Sequence, residues 1–278
     1  MSAEYAQANE KLLSSFYAIV QASIPDFKDV AEWKTFSHAL TFKLYRHLFT
    51  ISELCVPTID RITGNPYVDV ASIKVIERSA FENYLVFWHI YGSGREELSK
   101  LRFNVWKYCG LHARQKLKPE TSDYDAQLEA ERSQMALLWG LIEASPEYSN
   151  AYTKGQWLRL RDGEWLAVNK MDGLAKNAEI YFYYEKMYKH TSGYGHTGYI
   201  SAMQVGQASI EIQIRLAAIS LGTTSVIIAH FLSLLCDLSP AALAFVKSDP
   251  DVERLLSFWH IKEKDWREAT VGNGWPEE

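Results

Sequence analysis

Apolar residues recur every three to four positions along most of the chain, and no sustained alternation of apolar and polar residues appears. The first spacing marks one face of an α-helix and the second a half-buried strand, so helices are predicted almost throughout. They are expected near 4–22, 28–54, 67–92, 95–117, 121–145, 171–198, 204–237, 240–247 and 250–260. Local punctuation agrees with this reading. Asn65-Pro66 opens the third helix and Gly92-Ser93-Gly94 closes it, while Lys118-Pro119 parts the fourth from the fifth. Ser239-Pro240 and Asp249-Pro250 each place a capping side chain before a proline at the first helical position, where its missing N–H costs nothing.

The least helical stretch is 146–170, expected as an ordered loop or small hairpin around Arg161-Asp162-Gly163-Glu164. No Gly/Ser linker or low-complexity tract divides the chain. The expectation is an all-α, single-domain multi-helix bundle over 1–278, with a core at about 28–237 and a C-terminal helical extension at 238–278. Phe-Trp-His-Ile occurs at 87–90 and again at 258–261, but the flanks differ, so no repeat is inferred. Leu216–Cys236 carries no formal charge and is long enough to span a bilayer. Its Ser220, Thr223, Thr224, Ser225, His230 and Ser233, and flanks without a Lys/Arg cluster, point to a buried central helix instead.

Composition narrows the class without naming a function. The 278 residues are 47% hydrophobic and 23% charged, which excludes wholesale disorder, a collagen-like fibre and a disulfide-stapled miniprotein. A net charge of −5 argues against a surface that grips nucleic acid everywhere, though it leaves room for a local basic groove. Cys55, Cys109 and Cys236 are widely spaced and odd in number, as suits free thiols. With no basic-then-apolar leader at Met1–Tyr5, the expectation is a cytoplasmic protein without a membrane partner. Arg95–Lys118 is rich in Lys and Arg, and Pro119–Glu147 in Asp and Glu. The plain reading is an antiparallel hairpin whose helices neutralise each other; the sharper one is a basic face for RNA or DNA.

Two stretches could carry chemistry. On the third helix Arg78, Glu82 and His89 share a narrow arc within an otherwise apolar surface, so they are expected inside the protein or along a cleft. Arg78 and Glu82 at i,i+4 can satisfy each other, or can jointly orient a third group. The second stretch is Tyr181–His196, where Tyr181, Glu185, Tyr188 and Ser192 form a stripe and His196 follows at i+4. Arg78, Glu82, Tyr188, Ser192 and His196 are expected to meet in one buried polar cluster, with Tyr181 and His190 as further ligand-binding candidates. No glycine-rich phosphate loop, His-Glu-x-x-His or di-iron spacing is read, so no cofactor and no metal are expected. Ser192 and His196 alone lack the third residue and oxyanion hole of a nucleophilic triad.

Arg-x-x-x-Glu in an apolar helix, followed by Tyr-x-x-x-Ser-x-x-x-His, resembles a family of uncharacterised, mostly bacterial all-helical proteins over about residues 30–236. That family is distantly similar to the HEPN superfamily, many of whose members cleave RNA in toxin, antiphage and stress systems. The resemblance implies a HEPN-like fold, a homodimer, an RNA or nucleotide ligand, and metal-independent ribonuclease-type cleavage. In that reading His196 is the general acid/base, Arg78 clamps the phosphate and Glu82 orients Arg78. The usual HEPN spacing of Arg and His occurs here only at Arg254 and His260, outside the matched stretch. The alternative is a non-catalytic binding or dimerisation module whose polar cluster fixes helix register.

Overall fold

An apolar run that satisfies its own backbone as a helix must still bury its side chains, and the run ending at Cys236 does so inside the protein. A computed structural model describes residues 3–117 and 121–272, with side chains over 6–117 and 121–268. These residues form an all-α multi-helix bundle, 80% helical. In chain order come α1 (Ala3–Ser23), α2 (Glu32–Leu54), β1 (Thr58–Ile59), β2 (Pro66–Tyr67), α3 (Val70–Tyr91), α4 (Glu96–Arg114) and α5 (Ser122–Glu143). Four short helices follow: α6 (Tyr148–Ala151), α7 (Lys154–Arg161), α8 (Trp165–Val168) and α9 (Met171–Asn177). After α10 (Tyr181–Tyr183) the chain makes a π-helical turn at Tyr184–Tyr188 and continues as α11 (Lys189–Gly195) and α12 (Tyr199–Gln207). The long α13 (Ile210–Leu238), then α14 (Pro240–Ser248), α15 (Pro250–Trp259) and α16 (Glu263–Gly272), complete it.

The chain divides into two compact units, Met1–Phe87 with Ala175–Glu278, and Trp88–Leu174. The first is organised on α13. Leu12, Phe16 and Ile19 of α1 are fully buried, each contributing about 1.5–3 kcal/mol relative to exposure. Phe16 stacks on Phe231 of α13 at 5.5 Å, and Asn9 Nδ2 donates to Leu221 O, Thr224 Oγ1 and Ser225 Oγ. Among the described residues α13 is the one helix long and apolar enough to cross a membrane, and most of that window is buried here. Its buried hydroxyls are satisfied locally, as where Thr223 and Ser225 donate to carbonyls one turn back.

The second unit is built on the α4–α5 hairpin. Arg114 reaches Glu131 through both Nε and Nη2, Arg95 pairs with Glu147, and Gln115 Nε2 donates to Leu128 O. Residue 95 facing 147 and 114 facing 131 is an antiparallel register. The opposite charges read along the sequence are thus in part spent within the hairpin.

Several elements differ from the periodicity. The predicted 171–198 helix is broken at Glu179, which takes φ 57°. Ile180 N–H donates to Ala175 O and Glu179 N–H to Lys176 O, a Schellman closure with glutamate where glycine is usual, so no glycine signals it. The predicted 204–237 helix is two, because Ser209 caps α13 and starts it afresh after α12. The stretch expected as loop or hairpin holds α6–α8, with a Thr153–Gln156 capping box opening α7. Pro66 does not open the third helix; it sits in β2, and Asp69 accepts from Ser72 N–H ahead of the first turn of α3. The Lys118-Pro119 break lies outside the described residues.

Candidate functional site

α3 is apolar on most sides, so each charged residue on it must find a partner, and it carries two ion pairs. The deeper is Lys74–Glu77, with both side chains 1% exposed and Lys74 Nζ 3.0 Å from Glu77 Oε2. Ser220 of α13 donates to the same oxygen at 2.7 Å, while Glu77 Oε1 is buried without a hydrogen-bond partner. This pair is not among the residues expected from the sequence, although a Lys and a Glu at i,i+3 inside an apolar helix are a visible signal. The shallower pair is Arg78–Glu82, at 3.0 Å, with side chains 25% and 33% exposed.

Arg78 is the hub of the second pair. Its Nε donates to Glu82 Oε1, Nη1 to Ser192 Oγ at 3.1 Å, and Nη2 to Tyr188 OH at 3.2 Å. His196 Nε2 lies 3.5 Å from Nη1. A guanidinium has only donors, so a hydrogen bond between the two requires Nε2 to accept. Tyr188 OH in turn donates to Glu82 Oε1 at 2.7 Å. Burial, then the Glu82 bond and charge, push the Tyr188 phenol up to about 12, so it keeps the proton it donates. Burial lowers the Arg78 pKa, but the bonds and charges of Glu82 and Tyr188 outweigh it and raise the pKa above the ordinary value.

All five residues expected together do meet, with one correction: the cluster is not buried. Arg78, Glu82, Tyr188 and Ser192 are half-buried and His196 is exposed, because α11 ends at Gly195 and His196 is its cap at the surface. The π-helical turn explains a second departure. It inserts one residue into the helical phase, so Glu185 is exposed and leaves the stripe while Tyr188 and Ser192 face Arg78. Tyr181 does not reach Arg78; it stacks on Tyr184, which stacks on Tyr188 at 4.8 Å. His190 packs edge-on to Tyr194, and burial with the nearby Lys74 charge lowers its pKa. His89 belongs to the other unit, where its ring meets Tyr152 OH at 3.2 Å and burial depresses its pKa to about 3. Arg254 reaches Asp251 and His260 packs on His230, so these two serve different partners.

The turn after α11 carries strain. Gly198 N–H donates to Gly193 O and Thr197 N–H to Tyr194 O, a second Schellman closure, with Thr197 at φ 51°. A β-branched residue in the left-handed region is an outlier that the surroundings must hold in place. The same run, Gly193-Tyr194-Gly195-His196-Thr197-Gly198, spells Gly-x-Gly-x-x-Gly directly ahead of α12. The expectation that no such glycine run exists is therefore corrected, although a helix, not a strand, precedes it and a dinucleotide fold is not implied.

No protein-family model, no curated protein and no solved structure matches the chain.

Proposed function

We propose that the Arg78 cluster acts on RNA or a nucleotide, with His196 as general acid/base, Arg78 as the phosphate clamp and Glu82 as the group orienting Arg78. The observation that carries this reading is a solvent-exposed imidazole held beside a guanidinium whose other side is fixed by Glu82 and Tyr188. An imidazole changes charge near neutral pH and a guanidinium does not, so one can move a proton while the other holds an anion. In RNA cleavage His196 Nε2 takes the 2′-hydroxyl proton and the 2′-oxygen bonds to phosphorus. The 5′-oxygen leaves with a proton from water, giving a 2′,3′-cyclic phosphate, and His196 returns its proton to solvent. The resemblance to HEPN proteins extends the proposal to a cytoplasmic homodimer with a defence, toxin or stress role.

A second reading has its own support. Nε, Nη1 and Nη2 of Arg78 each already have a protein partner, so the cluster also serves as a tie between α3 and the 188–196 segment. Cleavage of mixed RNA, with and without divalent metal, separates the two. Cleavage by wild type and none by a His196→Ala variant of matched melting temperature supports the first. No cleavage by either protein, with a lower melting temperature for the variant, supports the tie.

A further inference from the structure

The helix that supplies Ser192 to Arg78 also walls a cavity of about 350 Å³ with Lys189, His190, Gly193 and Tyr194. Its other wall is the start of α12, with Tyr199, Ser201 and Gln204. That volume is at the small end of ligand pockets and suits one nucleotide, not a duplex. The described lining residues include a lysine, an imidazole, two phenols, a hydroxyl and an amide, but no carboxylate. Such a set repels no anion and offers hydrogen bonds to a base edge.

The phosphate and the base of a nucleotide each have a matching group. Lys189 is exposed and supplies the positive charge for a phosphate. The amino end of the nine-residue α12 opens beside it with no side-chain cap, which adds to that charge. Tyr199 is 79% exposed, an unusual setting for a large aromatic ring and one that leaves a face free for a base. Deeper in, Tyr194 OH donates to Gln204 Oε1 at 2.5 Å, which orients that amide. Ser201 Oγ is turned back to the carbonyls of Gly193 and Gly198, fixing the wall between them.

We propose that this cavity is a nucleotide subsite, holding the base and phosphate of one nucleoside monophosphate unit on the far side of α11 from Arg78. The inference rests on reading the Arg78 cluster as an RNA or nucleotide site. It assigns specificity to Lys189 and Tyr199, neither of which touches Arg78. The unit is either a free nucleotide or one residue of a single strand.

Calorimetric titration of the full chain with AMP, with a five-residue oligoribonucleotide and with inorganic phosphate tests it. Wild type is expected to bind AMP, and Lys189→Met and Tyr199→Ser each to weaken it about tenfold. Both side chains are exposed, so both variants should keep the wild-type circular dichroism. Tighter binding of the oligonucleotide than of AMP would identify a strand as the source, and equal binding a free nucleotide; either sustains the subsite. AMP binding that depends on Lys189, in a protein that cleaves no RNA, sustains the subsite while removing the catalytic reading. No binding of AMP or oligonucleotide, binding indifferent to both substitutions, or phosphate competing as well as AMP would overturn it.

Discussion

Lys74→Met separates the two ion pairs of α3 by their energetics. The substitution keeps an unbranched side chain of similar length in a fully buried position and removes the cation paired with Glu77. The Glu77 carboxylate then keeps a single bond, from Ser220 to Oε2, and its other oxygen is already without a partner. Removing one member of a buried pair typically costs about 3–5 kcal/mol, because the remaining charge is left desolvated. At about 3 kcal/mol per molar of urea, the unfolding midpoint drops by about 1 M or more. Adding Glu77→Leu removes the stranded charge, and the double variant is expected to recover most of that loss. Urea titration followed by circular dichroism gives the midpoints, and hydrogen exchange of α3 and α13 shows where the loss falls. A single variant within about 1 kcal/mol of wild type, or a double variant no better than the single, would refute the argument that the pair is held together by shared burial.

Three further outcomes follow from named contacts. Thr197→Gly relieves a left-handed φ in the turn beside His196 and should raise stability by about 0.5–1 kcal/mol in the same titration, less the added freedom of the unfolded chain; a loss would mean that the threonine side chain has a stabilising role. Burial, then the neighbouring His260, lowers the His230 pKa to about 3, and its Nε2 bonds to Ile261 O. A histidine kept neutral in the fold binds fewer protons than in the unfolded chain, so stability should fall as pH drops from about 6.5 toward 3, and His230→Gln should flatten part of that slope between pH 6.5 and 4.5. Glu263 Oε2 accepts from Phe182 N–H, and Trp266 stacks on Phe182 at 4.1 Å, so the C-terminal helix clasps the start of the segment that bears Tyr188. Glu263→Ala with Trp266→Ala should speed amide exchange across 181–188, and unchanged exchange there would show that the clasp sets nothing.

Much of the architecture was legible because helices are local. The 3.6-residue period, and Ser239-Pro240 and Asp249-Pro250 ahead of α14 and α15, report directly on backbone partners a few residues away. Two of the missed breaks lack such signals, since Glu179 and Thr197 occupy positions where glycine is expected. The third had one: Ser209 follows Gly206 and caps α13 as Ser239 caps α14. His89 shared a helical arc with Arg78 in sequence, yet sits about three helical turns along α3, bonded to Tyr152 in the other unit. The arc gives only an angle about the helix axis, and 11 residues separate the two along it.

The sequence by itself determined the helical class, the residue set of the Arg78 cluster and its partition into one arginine helix and one tyrosine-serine-histidine segment. Those depend on spacing, and spacing is written in the chain. The tertiary structure decided which pair on α3 is buried, that His196 faces solvent, and that a π-helical turn carries Glu185 out of the stripe. Burial depends on which neighbour covers a face. Ser220, a distant residue on α13, is what marks the Lys74–Glu77 side of α3 as the interior one.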